Sequence, residues 1–234
     1  MKATGRWVLA LLVAAAALHV PCPPAALGAD MALVIPPPSL DNPKTPGPVQ
    51  TAVIAGGCFW GVQGVYQHVR GVQRVLSGYS GGSKATAEYD RVTRGDTGHA
   101  EAVEIRFDPK DVSYGEILQI YFSVVHDPTQ LNRQGPDTGT QYRSNIFYAD
   151  DAQRKIAEAY IAQLQQKKAF GRAIVTRVDP LSAFYPAEAY HQDFLIKNPR
   201  YPYVVIHDLP KIENLKRVFP DRYREQPVTV EASK

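Results

Sequence analysis

The sequence predicts an α/β protein of the α+β kind, a two-layer sandwich of helices on a mixed β-sheet. Three observations carry that prediction. Short apolar runs of strand length alternate with longer segments of helical period. Two strands, over 72–79 and 102–107, follow one another across a polar loop, an order that disfavours a doubly wound parallel sheet. Internal repeats are lacking, and the 234 residues are 44% hydrophobic and 21% charged, which suits one good-sized core.

The elements follow in order. Lys2 and Arg6 precede an apolar stretch over 7–20 that Pro21 ends, with small residues at Ala25, Ala26, Gly28 and Ala29. This is the pattern of a secretory signal over 1–29, cleaved near Gly28 or Ala29. An uncleaved anchor is the rival reading, but the stretch falls short of the roughly twenty residues that span a bilayer. His19, Val20 and Pro21 before Cys22 are the wrong context for a lipid-modified cysteine. Residues 30–49 hold Pro36, Pro37, Pro38, Pro43, Pro46 and Pro48 without any period and read as an extended linker. The folded domain is expected over 50–225, followed by a polar tail over 226–234.

Within the domain, residues 50–55 suit a buried strand, broken by Gly56 and Gly57. Residues 59–69 then carry helical spacing, so Cys58 stands at a helix start. A strand over 72–79 leads to a polar loop over 85–98, and residues 102–107 alternate apolar and charged side chains as a half-buried strand does. Ser113 with Glu116 three residues on is a capping box for a helix through Val124. Residues 127–142 form a long Gly- and Pro-containing loop, and a loop of that length is usually functional. A strand over 144–148, a helix from Asp150 through Lys168, a strand over 173–178, an aromatic segment with a short helix over 184–198 and a helix over 209–219 complete the domain.

The net charge of +3 is small and the basic residues are scattered, so no nucleic-acid footprint is visible. Export would remove Cys22 and leave Cys58 as a lone thiol in an oxidising compartment. A lone cysteine is most often a small buried hydrophobe. Three features point Cys58 towards chemistry instead. Gly57 before it permits close approach by a ligand. The expected helix N-terminus favours a thiolate. Phe59 and Trp60 after it offer an apolar wall.

The run Gly57-Cys58-Phe59-Trp60-Gly61 resembles the signature of the A-type peptide methionine sulfoxide reductases. Gly95 through Glu101 is similar to a second block of that family, as are His126-Asp127-Pro128, Gly139 through Ser144, and Tyr190-His191-Gln192 with Lys197-Asn198-Pro199. The five blocks stand in the family's order. The resemblance implies a ferredoxin-like core with long functional loops, and reduction of the S epimer of methionine sulfoxide in protein repair. It implies that the Cys58 thiolate attacks sulfur and becomes a sulfenic acid, the first rung of thiol oxidation. Glu101 matches the family's acid, and Tyr89 and Tyr142 match the tyrosines that hydrogen-bond the sulfoxide oxygen. Asp127 matches a residue that arranges substrate or water. Phe59 and Trp60 are expected to hold the substrate methyl, with Gly57, Tyr190 and His191 also lining the binding site.

Each reading has a bland alternative. Glu101 by position alone is a solvated residue at a strand start, and most of the 13 tyrosines must be structural. His99, His126 and His191 can be assembled on paper with Cys58 and Asp127 into a hydrolase triad, but the family treats such histidines as structural. His99-Ala100-Glu101 mimics a deaminase zinc motif whose Cys-x-x-Cys partner is absent. No metal or nucleotide is expected, and a monomer is.

The chain departs from the family in one respect. Many members carry further cysteines that resolve the sulfenic acid, whereas here the segment 203–234 has none and Thr93 stands at the loop position some relatives use. An external thiol, such as a thioredoxin-like or glutaredoxin-like protein or a small thiol, is expected to recycle Cys58.

Overall fold

The computed structural model describes Met1 and residues 32–230, so the expected export segment and residues 231–234 of the tail lie outside the described residues. Strand β1 (Gln50–Gly56) enters helix α1 (Phe59–Gln67), and β2 (Val72–Ser80) leads through the short α2 (Tyr89–Val92) to β3 (Ala100–Phe107). Helix α3 (Tyr114–Ile120) is followed by the small strands β4 (Arg133–Gln134) and β5 (Asp137–Thr138). Then come β6 (Ser144–Tyr148), α4 (Asp151–Gln166), β7 (Arg177–Pro180), β8 (Phe184–Pro186), α5 (Phe194–Lys197) and α6 (Leu209–Val218).

The main sheet has the order β7-β6-β1-β3-β2-β8, with β6 and β7 parallel and every other neighbouring pair antiparallel. It is the mixed sheet the sequence predicts. Strand β1 is buried on both faces, which is why its run is continuously apolar. Ala52 and Ile54 point into the large core shared with Phe59, Val62, Val65 and Tyr66 of α1. Val53 and Ala55 pack on the opposite face with Ala100, Ala102 and Phe147. Helix α1 is thus fixed against the sheet along its length, and its first turn stands at the C-terminal end of β1.

Several elements differ from expectation for physical reasons. The Ser113 capping box is present in full, but the regular helix stops at Ile120 and a π-helical turn, Tyr121–Val125, follows. Strand pairing expected over 173–178 begins only at Arg177, because the Val175 N–H is taken by the Pro128 carbonyl at 2.8 Å. The loop over 127–142 folds back on itself as the β4–β5 hairpin.

The described part of the proline-rich segment is a strap and not a free linker. Prolines lack an N–H but keep a carbonyl, and the carbonyls of Ile35, Pro36 and Pro37 accept from Gln119, Tyr160 and Gln163 at 2.8–3.0 Å. Asp41 locks the strap to α3, accepting from Ser113 Oγ at 2.5 Å and from the Gly115 N–H at 2.8 Å. The tail is docked as well. The Arg224 and Val228 N–H groups donate to the carbonyls of His68 and Gln67, and the Val230 N–H donates to Asp193 at 3.1 Å.

Candidate active site

Gly57 makes the turn between β1 and α1 at φ +91°, and a side chain there would meet Gln134 at 2.6 Å. Only glycine satisfies both demands. The turn delivers Cys58 to the N-cap position of α1, where its side chain makes no capping bond and the nearby Trp60 backbone N–H favours the thiolate. Cys58 is the only free cysteine among the described residues, and it is buried.

Glu101 lies on β3 beside it and is 2% exposed. Its Oε2 accepts the Phe59 N–H at 3.0 Å, using an orphan donor of the α1 N-terminus. Burial pushes the Glu101 carboxyl up to about 8, against the lowering effect of that hydrogen bond, with Asp137 and Asp208 adding to the rise. The carboxyl is therefore protonated at neutral pH. This is a buried acid held against the first turn of the cysteine's helix, not a solvated residue at a strand start.

Burial likewise pushes the Cys58 thiol up, and the charges of Glu101, Asp208 and Asp137 push it further. The helix N-terminus does not produce a resting thiolate, contrary to the expectation from position. One backbone N–H is outweighed by dehydration and three neighbouring carboxyls.

Tyr89, at the first position of α2, and Tyr142, after the β4–β5 hairpin, are half-buried, and each feels the charges of Glu101 and Cys58. Burial raises both phenols, Tyr89 to about 12, so both are donors throughout the neutral range. The Tyr89 backbone is held by Glu188, whose carboxylate also accepts from Tyr79.

The aromatic wall divides by role. Phe59 is 1% exposed, with its ring against Tyr79 and His191. Trp60 is half-exposed, stacked on Phe194 at 3.7 Å with Tyr201 and Tyr203 edge-on. His191 stands behind it, its Nδ1 accepting from Trp60 Nε1 at 3.0 Å, which places the imidazole proton on Nε2. Burial lowers the His191 pKa, keeping the ring neutral. Tyr190 is exposed, with its ring against that of His191.

Asp127 does not join this group. Its carboxylate closes a local turn, accepting from the Thr129 N–H, the Thr129 hydroxyl and Gln130 at 2.7–3.1 Å. It borders a separate cavity of about 760 Å³ with His126, Leu131, Phe170 and Arg172. The loop carboxyl whose charge reaches Cys58, Glu101, Tyr89 and Tyr142 is Asp137, which accepts the Tyr203 hydroxyl. Sequence reasoning missed Asp137, Tyr203 and Asp208. Asp137 was within reach, since it lies five residues before Tyr142 in the same loop.

A buried thiol, a protonated carboxyl and two phenols, beside a half-exposed tryptophan, suit a substrate with an apolar group and one oxygen that gains a proton. No group of histidine, cysteine, aspartate or glutamate among the described residues is arranged to hold a metal ion.

A family model described as peptide methionine sulfoxide reductase matches residues 50–223. The chain belongs to the peptide methionine sulfoxide reductases, of the A type. Among its relatives, peptide methionine sulfoxide reductase MsrA 2 of Mesorhizobium japonicum is 58% identical over 191 residues, covering 82% of this chain and 97% of the relative. The protein of the same description from Synechocystis is 54% identical over 196 residues, covering 82% and 92%. Of solved structures, reduced Mxr1 from Saccharomyces cerevisiae aligns with a TM-score of 0.60 at 34% identity, covering 70% of this chain and 92% of that one. Methionine sulfoxide reductase A of Corynebacterium diphtheriae gives 0.57 at 33%, covering 76% and 94%.

Proposed function

We propose that this chain works as a peptide-methionine (S)-S-oxide reductase with Cys58 as its nucleophile. It reduces methionine sulfoxide to methionine and so repairs oxidised proteins. The observation that carries the residue assignment is the Phe59 N–H to Glu101 bond of 3.0 Å, which holds a protonated carboxyl against the turn bearing Cys58.

Glu101, Tyr89 and Tyr142 receive the sulfoxide oxygen, and Trp60 receives the methyl. Cys58 gives up its proton and attacks sulfur while Glu101 protonates the oxygen. The S–O bond breaks as the hydroxyl passes to the Cys58 sulfur, leaving methionine and a sulfenic acid. The proton lost by Cys58 restores that of Glu101. Water leaves in the next step, when an external thiol attacks the sulfenic sulfur and forms a mixed disulfide. A second thiol then frees Cys58.

A thioredoxin-like dithiol is the reductant that fits, since two cysteines on one partner complete both exchanges. The signal pattern of residues 1–29 supports export, and N-terminal sequencing of the protein from a membrane-enclosed compartment would test it. The central test is one turnover on separated sulfoxide epimers without reductant, followed by mass spectrometry of the Cys58 peptide. A sulfenic acid formed from the S epimer is expected. Undiminished reduction by Cys58→Ser would remove the assignment.

A further inference from the structure

Asp208 is fully buried, and neither of its carboxylate oxygens has a hydrogen-bond partner. It stands at the junction where the π-helical turn Val204–Asp208 runs on with helical backbone into α6. Here it makes no capping bond, and Pro210 in the first turn of α6 has no N–H to offer. A buried carboxylate that caps nothing is costly unless something else requires it.

Its surroundings identify the requirement. A Cβ placed on Gly61 would lie 2.2 Å from Asp208 Oδ1 and 3.1 Å from Lys211 Nζ, so the pair occupies a notch that this glycine leaves in the first turn of α1. Lys211 Nζ is 3.7 Å from Oδ1 and itself nearly buried. Cys58 begins that same turn, three residues before Gly61.

We propose that Asp208, seated in the Gly61 notch with Lys211 beside it, is a positioning residue that holds back the charge on Cys58 in the resting enzyme. The inference rests on Cys58 being the nucleophile. The thiolate, not the thiol, is what oxidants and alkylating agents attack, so a carboxylate behind the turn shields the cysteine until substrate arrives. Lys211 limits this effect and makes the buried carboxylate tolerable.

The groups facing Cys58 are Glu101 from β3, Asp137 from β5, Tyr89 from α2, Tyr142, Tyr203 and Asp208. Those facing the pair are Glu101, Asp137, Tyr203 and, towards Lys211, His126, whose pKa burial lowers to about 3. Asp208, pushed up by burial to about 6, is charged over the range in which Cys58 titrates.

The test is the pH dependence of iodoacetamide alkylation at Cys58, read by mass spectrometry of its peptide so that Cys22 does not contribute. Asp208→Asn leaves Lys211 uncompensated, and the alkylation midpoint should move to lower pH, with roughly threefold to tenfold faster alkylation at pH 8. Oxidation of Cys58 by hydrogen peroxide should speed up by the same factor. Lys211→Met should move the midpoint to higher pH. A merely structural pair would lower the melting temperature and leave both midpoints in place. An unmoved or raised midpoint in folded Asp208→Asn overturns the proposal. Should that variant not fold, an unmoved or lowered midpoint in Lys211→Met does so. Turnover by Cys58→Ser, assayed in parallel, separates this failure from that of the nucleophile assignment.

Discussion

At the scale of the residue, Glu101 acts on Cys58 in two opposed ways. In the proposed mechanism it supplies a proton to the leaving oxygen, and its charge disfavours the thiolate. Glu101→Gln should therefore lower single-turnover sulfoxide reduction by about 10²–10⁴-fold, the usual worth of a general acid. The same variant should make Cys58 easier to alkylate at a given pH. A parallel loss of both rates would show that the substitution had disturbed the turn instead. Stability supplies a second readout. The folded pKa of Glu101 is raised, so its contribution is fully present below the unfolded value of about 4.3 and is lost as pH rises through about 8. Melting temperatures should accordingly show wild type losing ground to Glu101→Gln between those values, with no further change above them. The two loop aspartates give a cleaner contrast. Asp137→Asn should shift the pH dependence of Cys58 alkylation, whereas Asp127→Asn should cost about 1 kcal/mol of stability and leave that profile alone. The sequence displayed Cys58, Glu101 and both tyrosines plainly. It could not rank Asp127 against Asp137, because which side of a long loop faces the cysteine depends on the β4–β5 hairpin, and two-residue strands leave no periodic trace.

At the scale of the element, α1 was legible from its spacing and its glycine turn, and the α3 capping box from four residues. What escaped was the partnering of segments that have no period. Residues 33–41 run beside α3 and α4 through proline and isoleucine carbonyls, which every sequence possesses and none advertises. Asp41 is the fastening. Asp41→Ala should cost about 1–2 kcal/mol, the range for losing a helix-terminal acceptor, measured by urea unfolding. It should also expose the segment to limited proteolysis while the domain core stays protected. Strand β8 was missed for a related reason: three residues pairing with β2 give too short a run to read against the aromatic segment that contains them.

At the scale of the whole molecule, the order of strands and helices followed from the alternation of periods, but the closure of the fold by its two flanking segments did not. The tail reaches back to Gln67, His68 and Asp193, so deleting residues 224–234 should lower the melting temperature, with circular dichroism checking that the sheet survives. That Cys58 is the only thiol among the described residues has a consequence on the same scale. A sulfenic acid with no neighbouring cysteine waits for a molecule to arrive by diffusion, and peroxide competes for it. Further oxidation to the sulfinic acid ends the enzyme's life. Each catalytic cycle is therefore a race, and the mean number of cycles survived equals the rate of thiol capture divided by that of overoxidation. Lifetime in turnovers becomes a property of the surrounding redox chemistry, set by the ratio of reductant to oxidant in the compartment and not by the fold alone.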